Sequence, residues 1–164
     1  MQVRQSPGTH TIGTPTLPIV RLMLRPFHIA LLVDDLTAAR QFYRGVLGCS
    51  EGRSDKDWVD FDLFGHQLVC HRGQVTRTGR AVSGQDKSVD GKSVPVPHCG
   101  VVLQMDEWQK LADRLIAAKI DFLVEPYIRF RGQTGEQATL FIADPAGNAL
   151  EFKGFRKLNQ LFAS

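Results

Sequence analysis

The chain has 164 residues, of which 43% are hydrophobic and 23% charged, a composition typical of an ordinary globular domain. Its 20 basic and 17 acidic residues give a net charge of +3, which is too small to indicate a nucleic-acid partner. No apolar run reaches the length of a membrane-spanning helix, so no membrane partner is expected. The three cysteines have no CxxC spacing, which predicts reduced thiols and a cytoplasmic protein.

The first 24 residues are rich in Pro, Gly and Thr, carry no acidic residue and predict a disordered tail. A first module is predicted over residues 25–72. Its helix begins at a cap formed by Asp34 or Asp35 and ends before Gly48. The apolar spacing predicts four elements in chain order: strand Phe27–Val33, helix Leu36–Leu47, and strands Trp58–Phe64 and Gln67–His71. One more short strand is expected in the module.

The same pattern returns about 70 residues later over residues 96–156, followed by a short C-terminal tail, 157–164. An acidic cap at Asp106 is expected to begin its helix, which runs to about Lys119. The strands are predicted at Pro97–Met105, Phe122–Glu125, Gln137–Ile142 and Asn148–Phe152, the last two joined by an Asp-Pro-Ala-Gly turn. The chain therefore repeats one β-α-β-β unit.

Residues 73–95 separate the two modules and contain almost no large apolar side chain. A connection of this length is unusual inside a compact domain unless it is a mobile linker or a lid over a site. Both interpretations remain open, with the mobile linker favoured.

Two histidines and a glutamate lie in the apolar strands. His28 and His98 occupy equivalent positions at the start of the first strand of each module, and Glu151 lies on the final strand. Because strand side chains alternate between faces, each of the three points away from the more apolar face, which should pack under the helices. An isolated histidine in such a run is more often a satisfied core residue. Two equivalent histidines with a carboxylate instead indicate a metal site with open coordination positions.

The segments FHIALLVDDLTAARQFYRGVLG and FIADPAGNALEFK resemble the vicinal oxygen chelate superfamily, which includes glyoxalase I, bleomycin-resistance proteins and extradiol dioxygenases. The resemblance covers about residues 26–155. It implies an α+β fold in which two paired βαβββ modules form a cupped mixed sheet with helices on the outer face. It also implies a homodimer. Each cupped sheet could be formed by the two modules of one chain or by modules from both chains.

The resemblance implies that His28, His98 and Glu151 bind the metal, with Fe(II) favoured and Mn, Ni or Zn as alternatives. Val69 occupies the position where glyoxalase-type sites usually carry a fourth ligand. The three-ligand set is similar to that of extradiol dioxygenases, which open a catechol-like aromatic diol with O₂. Phe141 departs from that pattern, because the family places a tyrosine there. A metal-dependent lyase or isomerase, and a drug- or metabolite-binding protein without chemistry, are the alternatives.

Further site residues are predicted, and each of them also has an ordinary structural explanation. The candidates for acid, base or substrate-anion contact are His71, Tyr127 and Arg129. The candidates for the wall of the substrate pocket are Trp58, Asp60, Val69 and Phe141.

Overall fold

A computed structural model describes residues 25–75 and 87–162. The predicted N-terminal tail, residues 1–24, lies outside the described residues. The first module contains β1 (His28–Val33), α1 (Leu36–Arg40, continued by a π-helical turn over Gln41–Val46), β2 (Ser50–Asp55), β3 (Trp58–Leu63) and β4 (His66–Arg72). A hairpin follows, with β5 (Lys87–Val89) and β6 (Lys92–Val94). The second module contains β7 (Cys99–Gln104), α2 (Met105–Ala117), β8 (Phe122–Arg129), β9 (Gln137–Ala143) and β10 (Ala149–Phe155).

Each module forms its own four-stranded mixed sheet, and the two sheets have the same strand order. The first runs β1-β4-β3-β2 and the second β7-β10-β9-β8. The pairs β1–β4 and β7–β10 are parallel, and the other neighbours are antiparallel. The predicted α+β fold with two βαβββ modules is confirmed.

The additional strand expected in the first module is β2. It carries mostly polar, exposed side chains and lies at the edge of its sheet as described, paired with β3, with a register shift between Glu51 and Ser54. A strand exposed in this way has no alternating apolar residues, so hydrophobic periodicity could not locate it.

Local signals set the helix ends. Asp35 caps α1, because its carboxylate accepts hydrogen bonds from the backbone N–H groups of Thr37 and Ala38 at 2.7 and 3.2 Å. The predicted cap of α2 at Asp106 is wrong, since the helix begins at Met105. The backbone N–H of Gln104 instead donates to the Glu107 carboxylate at 3.1 Å, half of a capping box.

The helix-bearing faces of both sheets contribute to one apolar core. Tyr43 from the first module and Phe152 from the second are fully buried in it. The indole N–H of Trp108 donates to the Phe152 carbonyl at 2.9 Å, which fastens α2 to β10. The two modules therefore stabilise one another through the face opposite the predicted ligands.

The segment predicted as linker or lid contains regular structure at its C-terminal end. Residues 87–94 form the β5–β6 hairpin, and residues 76–86 lie outside the described part of the chain. The predicted C-terminal tail contains a short 3₁₀ turn at Leu158–Gln160. Across residues 25–75 and 87–162, no helix is long and apolar enough to cross a membrane.

Candidate metal centre

Glu151 lies in the middle of β10 and points away from the shared core. Its neighbours Leu150 and Phe152 are fully buried on the core side, so alternation directs the carboxylate to the opposite face. Glu151 is paired with Phe141 on β9 and with Gly100 on β7. A Cβ at Gly100 would lie 1.7 Å from the Glu151 carbonyl oxygen, so this close approach requires glycine.

His98 and Glu151 face one another directly. The His98 Nε2 lies 3.2 Å from the Glu151 Oε2. The opposite ring nitrogen, Nδ1, lies 2.7 Å from the Pro95 carbonyl oxygen and must donate to it. The other carboxylate oxygen, Oε1, accepts a hydrogen bond from the Thr139 hydroxyl at 2.8 Å. Each side chain is thus held by a hydrogen bond at one polar atom, the His98 Nδ1 or the Glu151 Oε1. The second polar atom, the His98 Nε2 or the Glu151 Oε2, faces the partner residue. This arrangement is typical of metal ligands.

The pair has the electrostatics of a proton held between two bases. Burial alone would raise the pKa of Glu151, but the hydrogen bond with His98, the charge of Lys153 and the Thr139 hydroxyl outweigh burial and lower this pKa. The pKa of His98 is raised, chiefly by its hydrogen bond to Glu151, against burial, which lowers it. A metal ion can replace this proton, because a coordinating imidazole must be neutral.

His28 has a similar support in the first sheet. Its Nδ1 lies 2.8 Å from the Gln67 Oε1, and the Gln67 Nε2 in turn donates to Asp60 at 3.1 Å. This chain of hydrogen bonds fixes the orientation of the Gln67 amide, so Nδ1 carries the proton and Nε2 is left as the electron-pair donor. The His28 side chain is exposed.

Within one chain, His28 does not join the other two candidate ligands. Among the described residues, no group of three or more His, Cys, Asp or Glu side chains comes close enough to hold a metal. His28 belongs to the first sheet, whereas His98 and Glu151 belong to the second module, and the modules meet through their helix-bearing faces. A single chain therefore brings together two donors of the predicted triad.

The strand register confirms that Val69 is the structural equivalent of Glu151. Val69 is paired with Ala30 on the parallel neighbour, as Glu151 is with Gly100, and each of these partners lies two residues after a candidate histidine. Val69 is buried, and its side chain has no donor atom. The position of a fourth ligand is thus apolar.

Two other candidates in the first module, Trp58 and His71, lie at the end of the first sheet that is far from His28. Trp58 and His71 are cross-strand partners, and His71 is paired with Leu32 on β1. Four residues separate His71 from Gln67, the partner of His28, which corresponds to about 13 Å along the strand. His71 is exposed and is not brought to the candidate ligands.

Phe141 is the pocket candidate nearest the His98–Glu151 pair. Its ring lies edge-on to that of His98, with the centroids 5.1 Å apart, and its side chain is 3% exposed. No tyrosine hydroxyl is therefore present at this point of the site.

Tyr127 and Arg129 lie on β8 and contact the hairpin. The Arg129 Nε donates to the Asp90 carboxylate at 2.6 Å, and the Tyr127 hydroxyl lies 3.4 Å from the same oxygen. The Lys92 ammonium lies 4.7 Å from the centre of the Tyr127 ring. In this structure the two predicted substrate-contact residues hold the hairpin against the second sheet.

The hairpin is also linked to the His98–Glu151 pair. Val94 is buried in a small apolar cluster with Val124 and Phe141, and the following residue, Pro95, provides the carbonyl that orients His98. Sequence reasoning missed this link, because the contacts join residues from distant strands and show no local pattern.

The Asp-Pro-Ala-Gly-Asn turn acquires a structural role. Asp144 is 4% exposed and accepts hydrogen bonds from the Tyr43 hydroxyl at 2.9 Å and from the Asn148 side chain at 2.7 Å. Burial raises its pKa, although these bonds oppose the shift. The Asn148 amide also donates to the Leu32 carbonyl at 3.0 Å. The turn thus links the last strand to the first module and fixes the start of the strand that carries Glu151.

Residues 25–152 match the family described as the glyoxalase/bleomycin resistance protein/dioxygenase superfamily. The protein is a member of that superfamily. A protein of the same description from Alicyclobacillus acidocaldarius is 31% identical, with 84% of this chain and 96% of that one covered and a TM-score of 0.68. Comparison with curated proteins gave no significant match.

More distant members share the fold. The fosfomycin resistance protein FosX from Listeria monocytogenes is 18% identical over 81% of this chain and 93% of its own, with a TM-score of 0.59. Lactoylglutathione lyase from Agrobacterium tumefaciens is 20% identical over 85% and 97%, with a TM-score of 0.55. These relatives have different activities, so membership in the superfamily identifies the scaffold and leaves the reaction open.

Proposed function

We propose that this superfamily member is a metal-dependent enzyme whose substrate chelates the ion through two adjacent oxygens. The observation that carries the proposal is the facing pair of His98 Nε2 and Glu151 Oε2 at 3.2 Å, with the other polar atom of each side chain hydrogen-bonded. The donor set of imidazole and carboxylate fits Fe(II), Mn(II), Ni(II) or Zn(II). FosX, which shares the fold, has been crystallised with Mn(II).

We further propose that His28 of a second copy completes the ligand set in a homodimer. The exposed His28 ring is already oriented by Gln67, yet the described residues of its own chain offer it no group of metal-binding partners. An isologous dimer brings the first module of each chain to the second module of the other and so creates two equivalent sites. Each cup would then combine one sheet from each chain.

The protein's own residues would hold and enclose the substrate. Pro95 and Thr139 orient the side chains of His98 and Glu151 through hydrogen bonds, and the Phe141 ring forms an apolar wall beside His98. When bound, the metal would polarise the substrate oxygens as a Lewis acid and support chemistry with O₂ if it is Fe(II). The hairpin packs on the same side of the second sheet, with Val94 against Val124 and Phe141.

We propose Fe(II)-dependent dioxygenation of a small catechol-like diol as the reaction. Three protein ligands, with Val69 in place of a fourth, leave several coordination positions for a chelating diol and O₂. Phe141 favours a second candidate, a metal-dependent lyase or isomerase, because its ring offers no acidic hydroxyl beside the metal pair. The cytoplasmic location stays a prediction.

Anaerobic reconstitution with Fe(II), followed by O₂ uptake with a panel of catechols, tests the reaction. The proposal expects uptake that depends on both diol and iron and is lost in Glu151→Ala. Lys110→Met, a change on the exposed face of α2, is the matched control. Stoichiometric iron without O₂ uptake on any diol would rule out dioxygenation and favour the lyase or isomerase.

A further inference from the structure

Lys153 shares the face of Glu151 and lies beside it. It follows Glu151 by two residues on β10, so both side chains point to the same face, and its cross-strand partner on β9 is Thr139. Its Nζ lies 3.7 Å from the Glu151 Oε2, the same oxygen that faces His98. The Lys153 side chain is 31% exposed, so it is neither buried in the core nor extended into solvent.

A lysine in this place opposes the binding of a metal cation. A divalent ion held between His98 and Glu151 would take up the carboxylate charge that the Lys153 ammonium now contacts, and would repel that ammonium. The site would then carry an excess of positive charge among partly buried side chains, since those of His98, Glu151 and Lys153 are 27%, 12% and 31% exposed. A neutral ligand cannot balance this charge, whereas an anionic one can.

Two charged groups near this sheet face are already paired with one another. Arg129 is paired with Asp90 of the hairpin at 2.6 Å, so this carboxylate is already engaged. Gln104 and Gln137, which occupy the ends of β7 and β9, are uncharged. In the second sheet Lys153 contacts the Glu151 carboxylate, which a bound metal would engage, so an anionic ligand is a suitable counter-charge for it.

We propose that Lys153 determines specificity by selecting substrates that chelate the metal as anions, with the ammonium contacting a carboxylate or deprotonated hydroxyl next to the second chelating oxygen. This inference rests on the proposed metal site and adds the charge of the substrate to it. Lys153 is a binding residue in this scheme, and the proposal requires no change in its protonation.

Two small chelators of equal shape and different charge provide the test. Glycolate and glycolamide both offer adjacent oxygens, but only glycolate is an anion. Their affinities for the Mn(II)-loaded dimer are measured through water proton relaxation in the wild type, Lys153→Met, Lys153→Arg and the control Lys110→Met. Lys153→Gln replaces the Met variant if the latter fails to fold.

The wild type should prefer glycolate, and Lys153→Met should reduce that preference roughly tenfold, equivalent to about 1.4 kcal/mol. Lys153→Arg should keep most of the preference and Lys110→Met all of it. If Lys153→Met binds Mn(II) normally and still prefers glycolate as strongly as the wild type, the proposed role of Lys153 is wrong, whereas the metal site stands. Absence of Mn(II) binding by the wild type would overturn the metal site and this inference together.

Discussion

Replacing Thr139 with valine should weaken metal binding without altering the fold. The Thr139 hydroxyl donates to the Glu151 Oε1 at 2.8 Å, and the side chain is only 1% exposed. Valine has nearly the same shape, so the change removes one hydrogen bond to a charged acceptor, worth about 1.5–3 kcal/mol. The carboxylate would lose the contact that directs its other oxygen towards His98.

The expected result is a loss of about 10- to 100-fold in metal affinity, the usual effect of removing a group that orients a ligand. Calorimetric titration of the metal-free protein with Mn(II) measures it, and thermal unfolding verifies that the variant is folded. Thr139→Ser keeps the hydroxyl and should bind Mn(II) within a few-fold of the wild type. Equal affinity in the Val variant and the wild type would refute the proposed role of this contact.

Three further changes test the supporting structure. Tyr43→Phe removes the hydrogen bond to the buried Asp144 and should lower the free energy of unfolding by about 2 kcal/mol, measured with urea. Gly100→Ala places a methyl group against the Glu151 carbonyl, so it should reduce both Mn(II) affinity and thermal stability. Burial raises the pKa of Cys70 from 9.0 to about 12, so the unfolded chain releases this proton first and stability should fall as pH rises above 9. In Cys70→Ala, the free energy of unfolding measured with urea should decrease less steeply over the same pH range.

Periodicity was sufficient wherever one face of an element is apolar and the other is not. It predicted the core-facing sides of β1, β7 and β10, and hence the face on which Glu151 lies. It could not locate β2, whose side chains are polar, nor the hairpin, whose stability comes from contacts such as Arg129 with Asp90. Long-range hydrogen bonds of this kind leave no trace in local spacing.

The candidate site was predictable as a set of residue types and unpredictable as an arrangement. Repeat-equivalent positions identified His28 and His98, because the two modules share one pattern. How the modules pack is decided by contacts such as that between Tyr43 and Asp144, which are 101 residues apart. That packing separates His28 from the other two candidate ligands within one chain, and no pattern in the sequence indicates it.

Metal binding by mixed dimers tests the central claim most directly. His28→Ala and Glu151→Ala should each abolish stoichiometric metal binding alone. When the two variants exchange subunits at random, about a quarter of the sites should bind metal again, because half of the dimers are mixed and each mixed dimer contains one intact site. No recovery in dimers shown to be mixed would contradict a site shared between two chains.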